Sequence, residues 1–112
     1  MNAGDTLDFL TGGYYKGTIH RVVQPPPDQH GYSRLGLFYF AMPDDDLRLL
    51  PHLESAILQK TGITRRFEDA DAPLMRDWAR TRISAYGQTK LERKGPRIEE
   101  EVISGVVVTH YS

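Results

Sequence analysis

Cysteine is absent from all 112 residues, which excludes a disulfide scaffold, a thiolate zinc site, an iron–sulfur cluster and a cysteine nucleophile. A metal bound to this chain would have to be held by histidine and carboxylate. An excess of basic charge is missing too: 14 Lys and Arg stand against 15 Asp and Glu, a formal net charge of −1. The electrostatic footprint of a phosphate-backbone binder is therefore lacking. No apolar run approaches the ~18 residues of a membrane span, and Met1 to Asp5 has neither the basic nor the apolar segment of a signal peptide. These absences make a soluble cytoplasmic protein the expectation, with neither nucleic acid nor membrane as partner. Only 39% of residues are hydrophobic and 10% aromatic, enough for one core and not for two.

What is present reads as β-rich at the front. Asp5 to Leu10 is expected to be a strand, turned by Thr11-Gly12-Gly13, where paired glycines tolerate positive φ. Gly17 to Val23 alternates, with Thr18, His20 and Val22 on one face and Ile19, Arg21 and Val23 on the other. Pro25 to Pro27 cannot donate ladder hydrogen bonds and open a surface loop. Arg34 to Met42 is apolar on both faces and reads as a central strand. Asp44-Asp45-Asp46 is either a solvated turn or an invitation to calcium, but it lacks the alternating ligands and glycine of a calcium loop. Leu47 to Gly62 fits a short helix and an irregular packed segment equally well. Asp71 to Tyr86 has helical spacing at Met75, Trp78, Ala79, Arg82 and Tyr86, with Asp71 as cap, Pro73 in the first turn and Gly87 as stop. Gln88 to Glu101 reads as an exposed charged loop, and Val102 to Tyr111 as a final strand.

If the alternation turns inward as written, His20 and Arg34 are polar groups carried into the interior. A buried imidazole can be a neutral donor or a metal ligand, whereas a guanidinium stays charged and calls for an anion, preferably a carboxylate gripped by two hydrogen bonds. The alternatives are an ordinary satisfied histidine and an arginine that snorkels to solvent from a strand start. His30, His52 and His110 have no local chelating spacing to His20 and read as solvated. Tyr14-Tyr15 is open between lining a site and packing, and Trp78 reads as core.

The run Gly4-Asp5-Thr6-Leu7-Asp8-Phe9-Leu10-Thr11-Gly12-Gly13, continued to His20-Arg21-Val22, closely resembles the iron(II)- and 2-oxoglutarate-dependent oxygenases. The likeness is to the isopenicillin N synthase-like branch, in fungal-type versions, over the C-terminal half of the fold. There a strand and glycine turn lead to the "HRV" strand bearing the second metal-binding histidine, which His20 matches. The next strand opens with an arginine that pairs with the distal carboxylate of 2-oxoglutarate, usually within Arg-x-Ser; Arg34 matches and Gly36 replaces the serine. Loss of that hydroxyl removes one donor, worth ~1–2 kcal/mol. Ala41-Met42-Pro43, Glu54-Ser55, Met75 to Trp78 and Val102 to Val106 extend the likeness.

The resemblance implies a mainly β fold with one C-terminal helix, a partial double-stranded β-helix (jelly roll). Residues 1–43 would belong to the C-terminal part of the oxygenase domain, and 44–112 to an extension with a helix about 71–86 and a final strand about 101–111. It implies Fe(II) as cofactor, 2-oxoglutarate as cosubstrate, and oxidative hydroxylation or desaturation of a small molecule. The family's metal triad also needs an upstream His-x-Asp or His-x-Glu, and no histidine precedes His20. Asp5 and Asp8 are the upstream carboxylates, with Asp8 expected at the surface. The expectation is a chain inactive by itself, a fragment or truncated reading frame of an oxygenase. The alternative is a non-catalytic half-domain that self-associates through exposed sheet edges.

Overall fold

The computed structural model describes residues 1–86, 88–103 and 105–111. Three α-helices, α1 (Asp5–Leu10), α2 (Ala56–Thr61) and α3 (Met75–Ala85), precede three strands, β1 (Glu92–Gly95), β2 (Ile98–Ile103) and β3 (Val106–Tyr111). The strands form one antiparallel sheet in the order β1-β2-β3.

The segment expected to be the first strand is α1. Alternation there gives no apolar face, because Leu7 and Phe9 share theirs with Asp5, and Leu10 shares its own with Thr6 and Asp8. Helical spacing does better: Thr6, Phe9 and Leu10 lie at i, i+3 and i+4 on one side. Phe9 is buried, Leu10 packs against the core, and the Thr6 hydroxyl donates to Met75 Sδ at 3.5 Å. The glycine turn forms as expected, with Gly12 at φ 56° and Gly13 at φ 83°. A Cβ on Gly12 would lie 2.6 Å from Ile63 Cγ2, so the bare backbone is what lets residues 62–64 close on α1. Thr64 N–H donates to the Gly12 carbonyl at 2.8 Å there.

The expected helix at 71–86 is shorter and starts later. α3 has Leu74 as N-cap with no side-chain cap. Pro73 disfavours helical backbone at Ala72, so Asp71 cannot serve as cap. Two N-terminal amides of α3 instead donate across the fold, Met75 N–H to the Leu47 carbonyl at 2.8 Å and Arg76 N–H to the Asp45 carbonyl at 3.1 Å. That satisfies donors a helix end leaves free and gives the Asp44 to Asp46 turn a structural purpose. The helix ends before Gly87, the expected stop, which lies outside the described residues. Leu47 to Gly62 resolves into both of its alternatives: an irregular stretch that buries Leu49, then α2, whose Ser55 Oγ accepts from Leu58 N–H at 3.5 Å.

The expected loop at 88–101 and single final strand become a three-stranded meander. Val102↔Val107 and Ile103↔Val106 close its second hairpin, with Gly105 at φ 79° in the connection, a conformation that favours glycine. In the first hairpin Arg93 stands opposite Glu99 but Glu92 stands opposite Glu100, one opposite-charge and one like-charge pair, so the short connections and the backbone ladder make a sheet of what looks like loop composition.

The core joins these pieces. Phe9, Leu49, Met75, Trp78, Ala85, Ile103 and Val106 form one buried cluster. Within it Phe9 meets Trp78 edge to face at 5.0 Å, and Phe67 meets Phe9 likewise at 5.3 Å.

Residues 18–42 take no part in it. All are exposed, and a 3-10 turn at Pro27–Gln29 is their one regular element. The strands expected at 17–23 and 34–42 are not formed. A strand is completed by hydrogen bonds from a neighbour, and the sheet of this chain is built from 92–111 alone. Consistent with a run left outside the core, the radius of gyration is 16.5 Å, against about 13 Å for a folded domain of this length.

Candidate functional site

His20 lies in the exposed run. Its Nδ1 is 2.8 Å from the Thr18 carbonyl, and since a carbonyl can only accept, Nδ1 carries the proton and Nε2 of the neutral ring keeps its lone pair. That is the state in which an imidazole binds a metal. Arg34 is also exposed, and among the described residues it has no ion pair. The structure thus leaves both residues open to solvent on one irregular run, and neither is carried inward.

The two upstream carboxylates are already engaged. Asp5 Oδ2 accepts from Arg82 Nε at 3.1 Å. Asp8, expected at the surface, is buried: its Oδ2 accepts from Gly17 N–H at 2.9 Å, and Arg66 Nη2 stands 3.8 Å from Oδ1. Oδ1 itself has no hydrogen bond, so the guanidinium is what offsets the charge. Among the described residues no three His, Asp or Glu side chains gather as a metal site. One imidazole with a free nitrogen does not by itself fit a facial iron triad.

The fold builds a charge cluster around Arg82 that motif reading does not single out. This guanidinium joins Asp5 of α1 to Glu101 of β2, the latter at 3.1 Å from Nη1, and lies 5.3 Å from the Tyr86 ring centroid. Glu101 is buried and also accepts from the Thr89 hydroxyl. Helical spacing puts Arg82 on the core-facing side of α3, the one signal that could have found it. The cluster clamps α1, α3 and the sheet together and is a structural feature.

A concave surface lies elsewhere. A cavity of about 400 Å³ is lined by Tyr14, Tyr15, His52, Leu58 and neighbouring residues. The two tyrosine rings meet edge to face at 4.9 Å, so the pair left open between lining and packing does line a pocket. Neither His20 nor Arg34 borders it. His52 and His30 are exposed as expected, and the His110 side chain lies outside what is described. Among the described residues no helix is long and apolar enough to cross a membrane.

Known proteins add a similarity the geometry alone does not reach. Over 99 residues, 88% of this chain, it is 33% identical to 1-aminocyclopropane-1-carboxylate oxidase 1 of Arabidopsis thaliana, covering 26% of that protein. The chain is distantly similar to oxidases. The same share of the chain is 29% identical to 1-aminocyclopropane-1-carboxylate oxidase of Dendrobium crumenatum, covering 28% of it. The chain therefore spans little more than a quarter of the length of these relatives. No family model matches it, and no solved structure does.

Proposed function

We propose that this chain is a portion of an Fe(II)- and 2-oxoglutarate-dependent oxygenase of the isopenicillin N synthase-like branch, fungal type, acting in the cytoplasm on a small molecule by hydroxylation or desaturation. The observation that carries the proposal is that a similarity to two named oxidases covers 88% of the chain, whose residues include the glycine turn, His20-Arg21-Val22 and Arg34. In such an enzyme 17–23 and 34–42 are jelly-roll strands, and 44–112 is the extension that follows.

Iron(II) would activate dioxygen, the oxidant, at the expense of 2-oxoglutarate, and the residues here would supply its setting. His20 offers Nε2, with the Thr18 carbonyl fixing its tautomer. Arg34 offers a planar fork to the far carboxylate of 2-oxoglutarate, a geometry an ammonium could not copy. Gly36 leaves that carboxylate one hydroxyl poorer. Two further metal ligands have to come from outside this constellation, so the chain by itself is inactive. Purified protein with iron(II), ascorbate and 2-oxoglutarate is expected to release no more succinate than His20→Ala; His20-dependent release would contradict this. The ligand role is tested by transplanting the 99 matched residues into the Arabidopsis oxidase. A folded chimera should oxidise 1-aminocyclopropane-1-carboxylate with iron(II) and lose that activity in His20→Ala; a folded chimera indifferent to His20 sinks the assignment.

A second reading has its own observation. His20 and Arg34 are solvent-exposed and outside the cavity lining, as expected of a non-catalytic half-domain that works by association.

A further inference from the structure

The chain exposes 9232 Å², whereas a folded monomer of this mass exposes about 6,200 Å². Part of that excess is apolar and continuous in sequence. Leu35 is 99% exposed, Leu37 98%, Tyr39 91%, and Phe38 and Phe40 76% each. From Leu35 to Met42 no residue is charged and none is proline. Three aromatics at 150–250 Å² apiece bring about 500 Å², and with the leucines the run approaches the ~800 Å² that each partner gives to a stable interface.

We propose that this surface is covered by the same segment of a second copy of the chain, paired antiparallel about a two-fold axis through Phe38. The pattern is self-complementary in that register. Phe38 faces its own equivalent, Leu37 faces Tyr39, Leu35 faces Ala41, and Gly36 faces Phe40, so every pair from 35 to 41 is uncharged and an aromatic ring covers the bare glycine. In the single chain Phe38 already lies close to Gly36, where a Cβ would meet its ring at 2.9 Å; pairing exchanges this local cover for one from the partner. Closed two-fold pairing uses the same patch on both copies. Two strands alone are marginal, and Ile19, Val22 and Val23, all exposed, are further apolar residues of the same uncovered run. The sheet already present is a poorer competitor at its β1 edge, which carries Glu92, Arg93 and Lys94 and so resists edge pairing. This pairing rests on the second reading, the half-domain that works by association, because within an oxygenase the same run 34–42 is a jelly-roll strand with neighbours of its own.

Sedimentation equilibrium of the full chain at micromolar concentration should return a dimer. Phe38→Glu sets two like charges face to face and should weaken it by about 100-fold or more. Trp78 fluorescence reports the core and should stay unchanged, separating lost pairing from lost folding. Because the chain has no cysteine, a single introduced thiol reports only on the interface. Phe38→Cys should cross-link readily under mild oxidation, its partner Cβ being ~5 Å away. Leu35→Cys, six positions off register and thus ~20 Å from its equivalent, should not. A monomer at all concentrations, equal cross-linking of the two variants, a dimer indifferent to Phe38→Glu, or growth into fibrils would each overturn the proposal.

Discussion

Residues 18–42 and the remainder of the chain contrast in how their pattern is used. The exposed run has the stronger strand signal, with β-branched and aromatic residues in alternation, yet it forms no ladder. The 92–111 region carries glutamates, lysine, arginine and a Gly-Pro pair, yet it holds the whole sheet. The difference is that 92–111 finds its partners within a few residues, through two short connections, whereas 17–23 and 34–42 are apolar on faces that nothing in the chain covers. A strand signal is a statement about half of an interaction.

The contrast is sharpest in side-chain truncation. Trp78→Ala removes a ring that is 2% exposed and in contact with Phe9, and should cost about 3–5 kcal/mol, read as a shift in the urea midpoint or outright loss of folding. Phe40→Ala, made on the exposed run, should leave the unfolding midpoint of the monomer unmoved. Equal costs would mean that the two regions are not separate in energy.

A smaller effect is expected at the clamp between α1, α3 and the sheet. Arg82→Met keeps the stem but withdraws the guanidinium from Asp5 and from buried Glu101, and should destabilise by about 2–3 kcal/mol in urea unfolding. The exposed pair Arg76–Asp46 is the natural control, and Asp46→Asn should be close to neutral.

The smallest effect belongs to Glu92 and Lys94 on β1. The hydrogen bond from Lys94, and then its charge, hold the Glu92 carboxyl below its usual value, while the same hydrogen bond raises Lys94. The Glu92 contribution is present above the usual carboxylate pKa and fades as pH falls through the lowered one. That of Lys94 is present below the usual ammonium pKa and fades as pH rises through the raised one. Both groups are fully exposed, so Lys94→Gln should leave the melting midpoint at neutral pH unresolved from the parent. It should return the Glu92 titration upward in an NMR pH series.

Legibility in the sequence follows the range of the interaction. The Gly12-Gly13 turn, the helical face of Met75, Trp78 and Arg82, and the burial of Trp78 were readable, because each is decided by nearby residues. Asp5 to Leu10 misleads because six residues are too few to make its better helical period decisive, and what fixes the helix is packing of Phe9 on Phe67 and Trp78, distant in sequence. Asp8 was expected at the surface, since nothing local shows that Gly17 N–H and Arg66 will reach it. His20 and Arg34 were found by motif likeness, and their placement inside a site depends on partners that alternation cannot supply.

The exposed run is hung between fixed points. On one side Thr18 N–H donates to the Ala3 carbonyl at 2.8 Å, and on the other Leu47 N–H closes the aspartate turn on the Asp44 carbonyl at 3.0 Å. What lies between is, to the core, a tether whose closure entropy grows only with the logarithm of its length, about 0.6 kcal/mol for each doubling. The packed part of the molecule is therefore nearly indifferent to how long that tether is, and sequence change within it is free to follow the demands of whatever it binds.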